Sequence, residues 1–288
     1  MMRGGLALAD AARKVVPAPA VEAATETARR LTAKHVPRVS RALHTGPGAP
    51  RPPNADGQLA IVYFPACPSR MFGAPRTRFD LLPAPQAMVT LLERAGYQVI
   101  VPDHADGHCC GQPFQSKGFP EQAAEVGGAL RRELSALSEG GRLPVLTDAS
   151  TCAKHMRDFP GDAQLADSAQ FLLQILPRLT MTQKLPVLAV HHNCSAQRLG
   201  EQKAIETLAR ACADTIAVLN SVTCCGYAGD KGLFVPELNA HATRRVSADI
   251  PEGCEIGVST VSTCASGLTE HAGIPFVGLA SLLEWATR

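Results

Sequence analysis

A cysteine pattern that occurs twice constrains this chain more than any other feature. "LAIVYFPAC" ends at Cys67 and "LPVLAVHHNC" ends at Cys194, each a short apolar, β-branched run that stops at a thiol. Such runs read as strands, so each delivers a cysteine at the C-terminal end of a strand. A helical pattern follows, with apolar residues at i, i+3, i+4 and i+7: Met88, Leu91, Leu92 and Ala95 in the first copy, Ile205, Leu208, Ala209 and Cys212 in the second. "YQVIVP" then leads to Cys109, Cys110 and Gly111, and "TIAVLN" leads to Cys224, Cys225 and Gly226. The copies stay parallel beyond the pairs, "CCGQPFQSKGF" against "CCGYAGDKGLF", which puts Lys117 and Lys231 in matching places. A further helix (Val126, Leu130 and Leu134; Leu238, Ala242 and Val246) and strand ("LPVLTD"; "CEIGVST") lead to Cys152 and Cys264. A last helix, "ADSAQFLLQIL" or "LASLLEWA", closes each unit.

Strand, helix, strand, helix, strand, helix is the order of a parallel sheet with right-handed crossovers. The reading is therefore an α/β protein of two pseudo-repeated Rossmann-like parallel-sheet units, residues 58–180 and 181–288. In such sheets ligands collect at the carboxyl ends of the strands, where the repeat sends its cysteines. Ahead of the repeats, residues 1–44 carry two amphipathic patterns and read as a helical arm, with Pro19 in the permitted first turn of the second helix. "TGPGAPRPPNADG" is too rich in proline and glycine for either element and makes 45–57 a linker. Up to Gly57 there are nine Lys and Arg against four Asp and Glu, a local excess of five within a chain whose net charge is only +2. The basic residues read as the solvated face of the arm rather than as a membrane or anionic-partner site.

Charge and composition exclude several classes. A net charge of +2 and 5% aromatic residues give neither the electrostatics nor the stacking surface that nucleic acid requires. No run of about 18 apolar residues marks a membrane span. "MMRGGLALADAA" is interrupted by Asp10 before it reaches the length of a signal peptide, which points to the cytoplasm. Thiols stay reduced there, so ten cysteines call for metal or redox chemistry before disulfides.

Eight of the ten cysteines form two matching sets, Cys67, Cys109, Cys110 and Cys152, and Cys194, Cys224, Cys225 and Cys264. Four thiolates converging from loops suit a soft metal centre, above all an iron–sulfur cluster, whose irons take sulfur ligands. A turn at Gly111 or Gly226 lets adjacent cysteines reach different irons of one core. Zinc also takes four thiolates, but its structural sites pair ligands at short spacing, and here the members lie far apart in sequence. Dithiol chemistry at the pairs and inert buried thiols remain open alternatives. Cys212 lies on an apolar helix face and reads as core, and Cys254 stands outside the pattern.

Over roughly residues 59–288 the two Cys-Cys-Gly segments and their flanking cysteines resemble the cysteine-rich CCG domains of heterodisulfide reductases, of glycolate oxidase iron–sulfur subunits and of FAD-dependent D-lactate dehydrogenases. "HCCGQPFQSKGF" and "TCCGYAGDKGLF" look most like the last group. The resemblance implies an iron–sulfur cluster, of the 4Fe-4S type, on the eight cysteines. It also implies FAD on a partner domain or subunit and electron transfer from a 2-hydroxy acid through the flavin toward a quinone or cytochrome, with peripheral association at the inner membrane face compatible with that acceptor. Rival readings are a disulfide- or heterodisulfide-reductase subunit and a metal-stabilised module that docks a flavoprotein. The fuller family pattern ends each repeat in Cys-x-x-Cys, whereas Ala149 and Val261 occupy the first of those positions here. Each site thus lacks a fifth thiol. Neither a ferredoxin motif nor a flavin-binding region is visible, so the chain reads as the C-terminal part of a longer enzyme or as a separate subunit.

Other polar residues sit near these cysteines. Asp103, His104, His108, His191 and His192 would tune a centre, relay protons, replace a cysteine ligand or be partly exposed loop residues. Lys117 and Lys231 would counter its charge, bind a carboxylate or simply be solvated loop lysines, and Arg70, Arg76 and Arg78 call for the same caution.

Overall fold

The apolar runs and helical faces assemble as their periodicities require. The computed structural model describes residues 2–52, 59–157 and 165–288. Residues 53–57 of the proline-rich linker lie outside this description. The arm holds α1 (Met2–Ala12) and α2 (Ala18–Leu31) and continues into β1 (His44–Thr45). The first repeat runs β2 (Leu59–Phe64), α3 (Cys67–Met71), β3 (Phe72–Gly73), α4 (Ala84–Arg94), β4 (Tyr97–Ile100), α5 (Gln112–Ser116), α6 (Pro120–Leu137), β5 (Val145–Thr147), α7 (Ser150–Arg157), β6 (Leu165–Asp167) and α8 (Ser168–Ile175). The second runs β7 (Leu185–Val190), α9 (Cys194–Leu199), α10 (Gln202–Cys212), β8 (Ala213–Val218), α11 (Lys231–Phe234), α12 (Pro236–Ala242), β9 (Gly257–Ser259), α13 (Ser262–Thr269), β10 (Phe276–Gly278) and α14 (Leu279–Ala286).

Both sheets are parallel and have the same topology. Their orders are β4-β2-β5-β6 and β8-β7-β9-β10, so each repeat starts in an inner strand, steps outward once, then crosses back. The α/β reading with two Rossmann-like units thus describes the molecule, with a fourth, three-residue strand added to each sheet. β1 and β3 form a separate antiparallel pair.

One apolar core spans the two repeats. Ile61, Met88, Leu91, Leu92 and Leu172 of the first pack in the same cluster as Leu188, Ile205, Leu208 and Leu282 of the second. Each such side chain, fully buried, contributes roughly 1.5–3 kcal/mol. α4 lies against α14 and α8 against α10. At the α4–α14 contact the carboxylate of Glu284, buried, accepts from Arg94 at 2.9 Å. The helical faces read at Met88–Ala95 and Ile205–Cys212 are buried as expected. The face assigned to Leu238, Ala242 and Val246 is not: α12 ends at Ala242, Leu238 is exposed, and Asn239 points inward.

The basic arm is in part tied down, while Lys14, Arg30, Lys34 and Arg41 stay exposed as the reading of a solvated face expects. Arg13 donates to the carbonyls of Leu43 at 2.6 Å and Ser40 at 2.7 Å, and Asp10 accepts from Thr45 N at 2.7 Å. Arg29, 3% exposed, donates to the Phe234 carbonyl at 2.9 Å and pairs with Glu26 and Glu237. Arg38 bridges Glu22 and Glu270. Three of the arm's arginines therefore fix α1 and α2 in place, because a guanidinium can satisfy several carbonyl and carboxylate acceptors at once. Among the described residues, no helix is long and apolar enough to cross a membrane.

Candidate metal centres

Both thiol quartets form where the topology sends them, beyond the carboxyl ends of the first three strands of each sheet. In the first repeat Cys67 opens α3, directly after the turn that follows β2. That turn is held by Asp148, buried at the end of β5, which accepts from Ala66 N at 2.7 Å and from the Tyr63 hydroxyl at 2.6 Å. Burial lifts the Asp148 carboxyl above its ordinary range, and these donors oppose the lift. Cys109 and Cys110 precede Gly111, whose φ of +93° turns the chain into α5. A Cβ there would stand 2.4 Å from the Ala123 carbonyl oxygen, so the turn needs glycine on two counts. Cys152 lies in the first turn of α7. The four sulfurs touch in a row: Cys67 hydrogen-bonds to Cys109, Cys109 to Cys110, and the Cys110 and Cys152 Sγ atoms are 3.3 Å apart.

The second repeat reproduces this arrangement. Cys194 opens α9 behind Asn193, whose side chain caps the helix by accepting from Ser195 N at 3.1 Å and Ala196 N at 3.0 Å. The same oxygen accepts from Ser150 of the first repeat at 2.9 Å, which couples the starts of α7 and α9. Cys224 and Cys225 precede Gly226, with φ of +71° and the Leu238 carbonyl oxygen 2.5 Å from a hypothetical Cβ. Asn239 donates to the Cys225 carbonyl at 2.7 Å and fixes this turn from α12. Cys194 hydrogen-bonds to Cys224, Cys224 to Cys225, and the Cys225 and Cys264 Sγ atoms are 3.0 Å apart. Cys110, Cys152, Cys225 and Cys264 share one apolar cluster with Tyr227 and Leu233. Ala149 and Val261 are buried in that same wall.

Backbone donors face the sulfurs. Gly111 N and Gly226 N each lie 3.4 Å from the preceding Cys109 and Cys224 Sγ, and the amides of Gln112 and Tyr227 reach Cys110 and Cys225. The first turns of α7 and α13 add positive partial charge beside Cys152 and Cys264. Packed together, the thiols hold one another's protons. Cys67 and Cys194 are pushed far above the ordinary thiol value, first by their hydrogen bonds to Cys109 and Cys224 and then by burial. Cys224 is pulled down to about 2 because the Cys194 and Cys225 thiols donate to it. One thiolate in the second row is thus stabilised by its neighbours, and releasing the remaining protons requires a compensating cation.

The chemistry of this donor set fits an iron–sulfur core. It offers four soft sulfurs from three strand ends, amides aimed at sulfur and an apolar inner wall. It does not preform a site for a single ion: among the described residues no group of three or more His, Cys, Asp or Glu side chains is arranged around one point. Cys67, Cys109, Cys110 and Cys152 are the residues that would hold a core in the first repeat, and Cys194, Cys224, Cys225 and Cys264 in the second.

The remaining sequence candidates divide. His191 is buried, contacts Ser259 Oγ through Nδ1 at 3.2 Å, and is lowered to about 4 by burial, so it stands neutral beside Cys224. His192 faces Glu206 and His108 pairs with Glu133, both partly buried. Asp103 and His104 are exposed. Lys117 pairs with Asp230 at 2.6 Å across the repeats, while its counterpart Lys231 is exposed. Arg76 and Arg78 are exposed, the latter paired with Glu255. Arg70 is buried and donates to Cys67 Sγ at 3.3 Å and to the His108 carbonyl at 2.7 Å. Cys212 is core, raised to about 12 by burial, and Cys254 is buried too. Sequence reading missed Asp148, Asn193 and Asn239. For Asp148 and Asn193 the one visible signal was position, a polar residue at a strand end or a helix start near a cysteine, whereas Asn239 lies within α12.

Residues 61–157, within the first repeat, match the model of the cysteine-rich CCG domain family. The chain is also 28% identical over 163 residues to lactate utilization protein A of Geobacillus thermodenitrificans (strain NG80-2), an alignment covering 50% of this chain and 65% of that protein. The lactate utilization protein A of Geobacillus sp. (strain WCH70) is 28% identical over 165 residues, covering 51% and 66% respectively. That of Anoxybacillus flavithermus (strain DSM 21510 / WK1) is 26% identical over 163 residues, covering 50% and 66%. The chain spans just under two thirds of the length of these curated relatives.

Proposed function

We propose that this chain is the iron–sulfur electron-transfer portion of a lactate-oxidising system, with one four-cysteine centre in each repeat. The observation that carries the reading is the gathering of eight thiols, distant in sequence, into two equivalent rows at the strand ends. The names of the similar proteins support a lactate-related role, and the CCG match supports the metal. A cluster bound on these cysteines supplies one-electron acceptance and donation.

The chain's own residues do the rest. The two rows of cysteines hold the metal, and the amides that follow each pair donate toward sulfur. Ala149, Val261, Tyr227 and Leu233 keep water from the inner face. Oxidation of the 2-hydroxy acid belongs to FAD on a partner domain or subunit, and a quinone or cytochrome takes the electrons onward. Peripheral placement at the inner face of a membrane suits that acceptor.

Anaerobic purification followed by visible absorption and paramagnetic resonance tests the reading. Broad sulfur-to-iron absorption that bleaches on reduction is expected. A colourless chain whose thiols all alkylate, or one that holds zinc, contradicts it. Turnover of D-lactate by this chain without any flavoprotein would contradict the division of labour.

A further inference from the structure

The two quartets differ in the residue three positions after the leading cysteine. Arg70, three residues after Cys67, is 3% exposed and sits directly on the first quartet. Its Nη2 donates to Cys67 Sγ at 3.3 Å and to the His108 carbonyl, its Nη1 donates to the Ala105 carbonyl, and its guanidinium lies 5.5 Å from the Phe64 ring centroid. The residue three after Cys194 is Gln197, a neutral amide that donates to the His192 carbonyl at 2.6 Å and not to the sulfur. Phe64, beneath Arg70, is replaced by His191. The repeats therefore keep one backbone plan, and where a buried cation touches the leading cysteine of the first, a neutral amide stands in the second.

We propose that Arg70 sets the two sites apart electrostatically, so that the first-repeat centre is reduced at the higher potential of the two. This rests on the iron–sulfur reading above. Reduction adds negative charge, and a buried cation in hydrogen-bond contact with a ligand favours the more negative state. Two features oppose it. Asp106 stands 3.4 Å from Arg70, but its side chain is 55% exposed, so solvent weakens its field at the sulfur. The first quartet is also less exposed than the second, where Cys194 and Cys224 face solvent, and burial disfavours added charge. A full charge at contact distance outweighs the difference between half-buried and exposed sulfur.

The test uses the reconstituted full chain in two backgrounds, Cys225→Ser to isolate the first site and Cys110→Ser to isolate the second. A redox titration followed by paramagnetic resonance should place the first site higher by at least tenfold in one-electron partition, about 59 mV. Arg70→Gln should remove that gap and Arg70→Lys should keep much of it. Asp106→Asn, which touches no cysteine, should raise the first midpoint slightly. Gln197→Arg should raise the second. In the iron-free chain, Arg70→Gln should slow alkylation of Cys67, since the thiolate loses its cation. A merely structural Arg70 would loosen the turn and speed it. Equal midpoints, or midpoints unmoved by Arg70→Gln and Asp106→Asn, overturn the assignment, as does faster alkylation. Failure of the iron–sulfur reading looks different: no iron-dependent signal in any variant, with Cys67 alkylation still slowed.

Discussion

The two repeats solve one local problem with different chemistry. Each must bring the residue before its leading cysteine against the end of the third strand. In the first, the Ala66 amide donates to the Asp148 carboxyl; in the second, Asn193 caps α9 with its own side chain and donates to Thr260. The first site carries Phe64 and Arg70 around Cys67, and the second carries His191 and Gln197 around Cys194. Geometry repeats while polarity does not. A duplicated backbone can thus present the same donor set at two points and leave the surrounding charge free to differ.

The largest effects should come from the inner cysteines. Cys110→Ser should abolish the resonance signal of the first repeat and spare the second, and Cys225→Ser should do the reverse; loss of both signals in either variant would break the independence of the sites. Glycine comes next. Gly111→Ala and Gly226→Ala force a side chain into positive φ and onto a carbonyl oxygen, and each should cost about 1–3 kcal/mol by urea unfolding. The caps sharpen the comparison at smaller scale: Asn193→Ala should cost about 0.5–2 kcal/mol, whereas substitution of Ala66 by Ser should leave α3 little changed, since Asp148 already holds its amide.

The seam between the repeats adds a pH dependence. Asp167 and Glu201 are both fully buried, and among the described residues the two oxygens of Glu201 have no donor. Burial, then its contact with Asp167, lifts Glu201 from 4.5 to about 9. Its folded value is raised, so between those two pH values the unfolded chain holds fewer protons than the folded one, and stability falls as pH rises through the window. Glu201→Gln should flatten that decline when urea midpoints are compared across it. The smallest change is expected at Lys117→Ala, which removes a partly exposed ion pair across the repeats and should cost less than about 1 kcal/mol.

Much of this architecture was legible because the informative signals were local. The runs "IVYF" and "VLAV" could be little but strands, and the buried faces of α4 and α10 follow 3.6 periodicity without interruption. Convergence of the thiols followed from strand order alone. What escaped was short or long-range. β6 and β10 are three residues each, below the length at which a pattern exists. α3 and α9, five and six residues long, are defined by the turns that start them. The inner face of α12 departs from its apolar pattern by one residue because Asn239, a polar side chain, takes the buried place to bind the Cys225 carbonyl. Docking of the arm through Arg13, Arg29 and Arg38 depends on carbonyls and carboxylates scattered over the chain, which no periodicity announces.

Iron-edge X-ray absorption on the anaerobically prepared full chain addresses most directly whether the gathered thiols enclose an inorganic core. A first shell made of sulfur alone, with an iron neighbour just beyond it, is the predicted spectrum. Nitrogen or oxygen in the first shell with no second iron, or a chain that binds no iron while its eight thiols stay freely reactive, would contradict it.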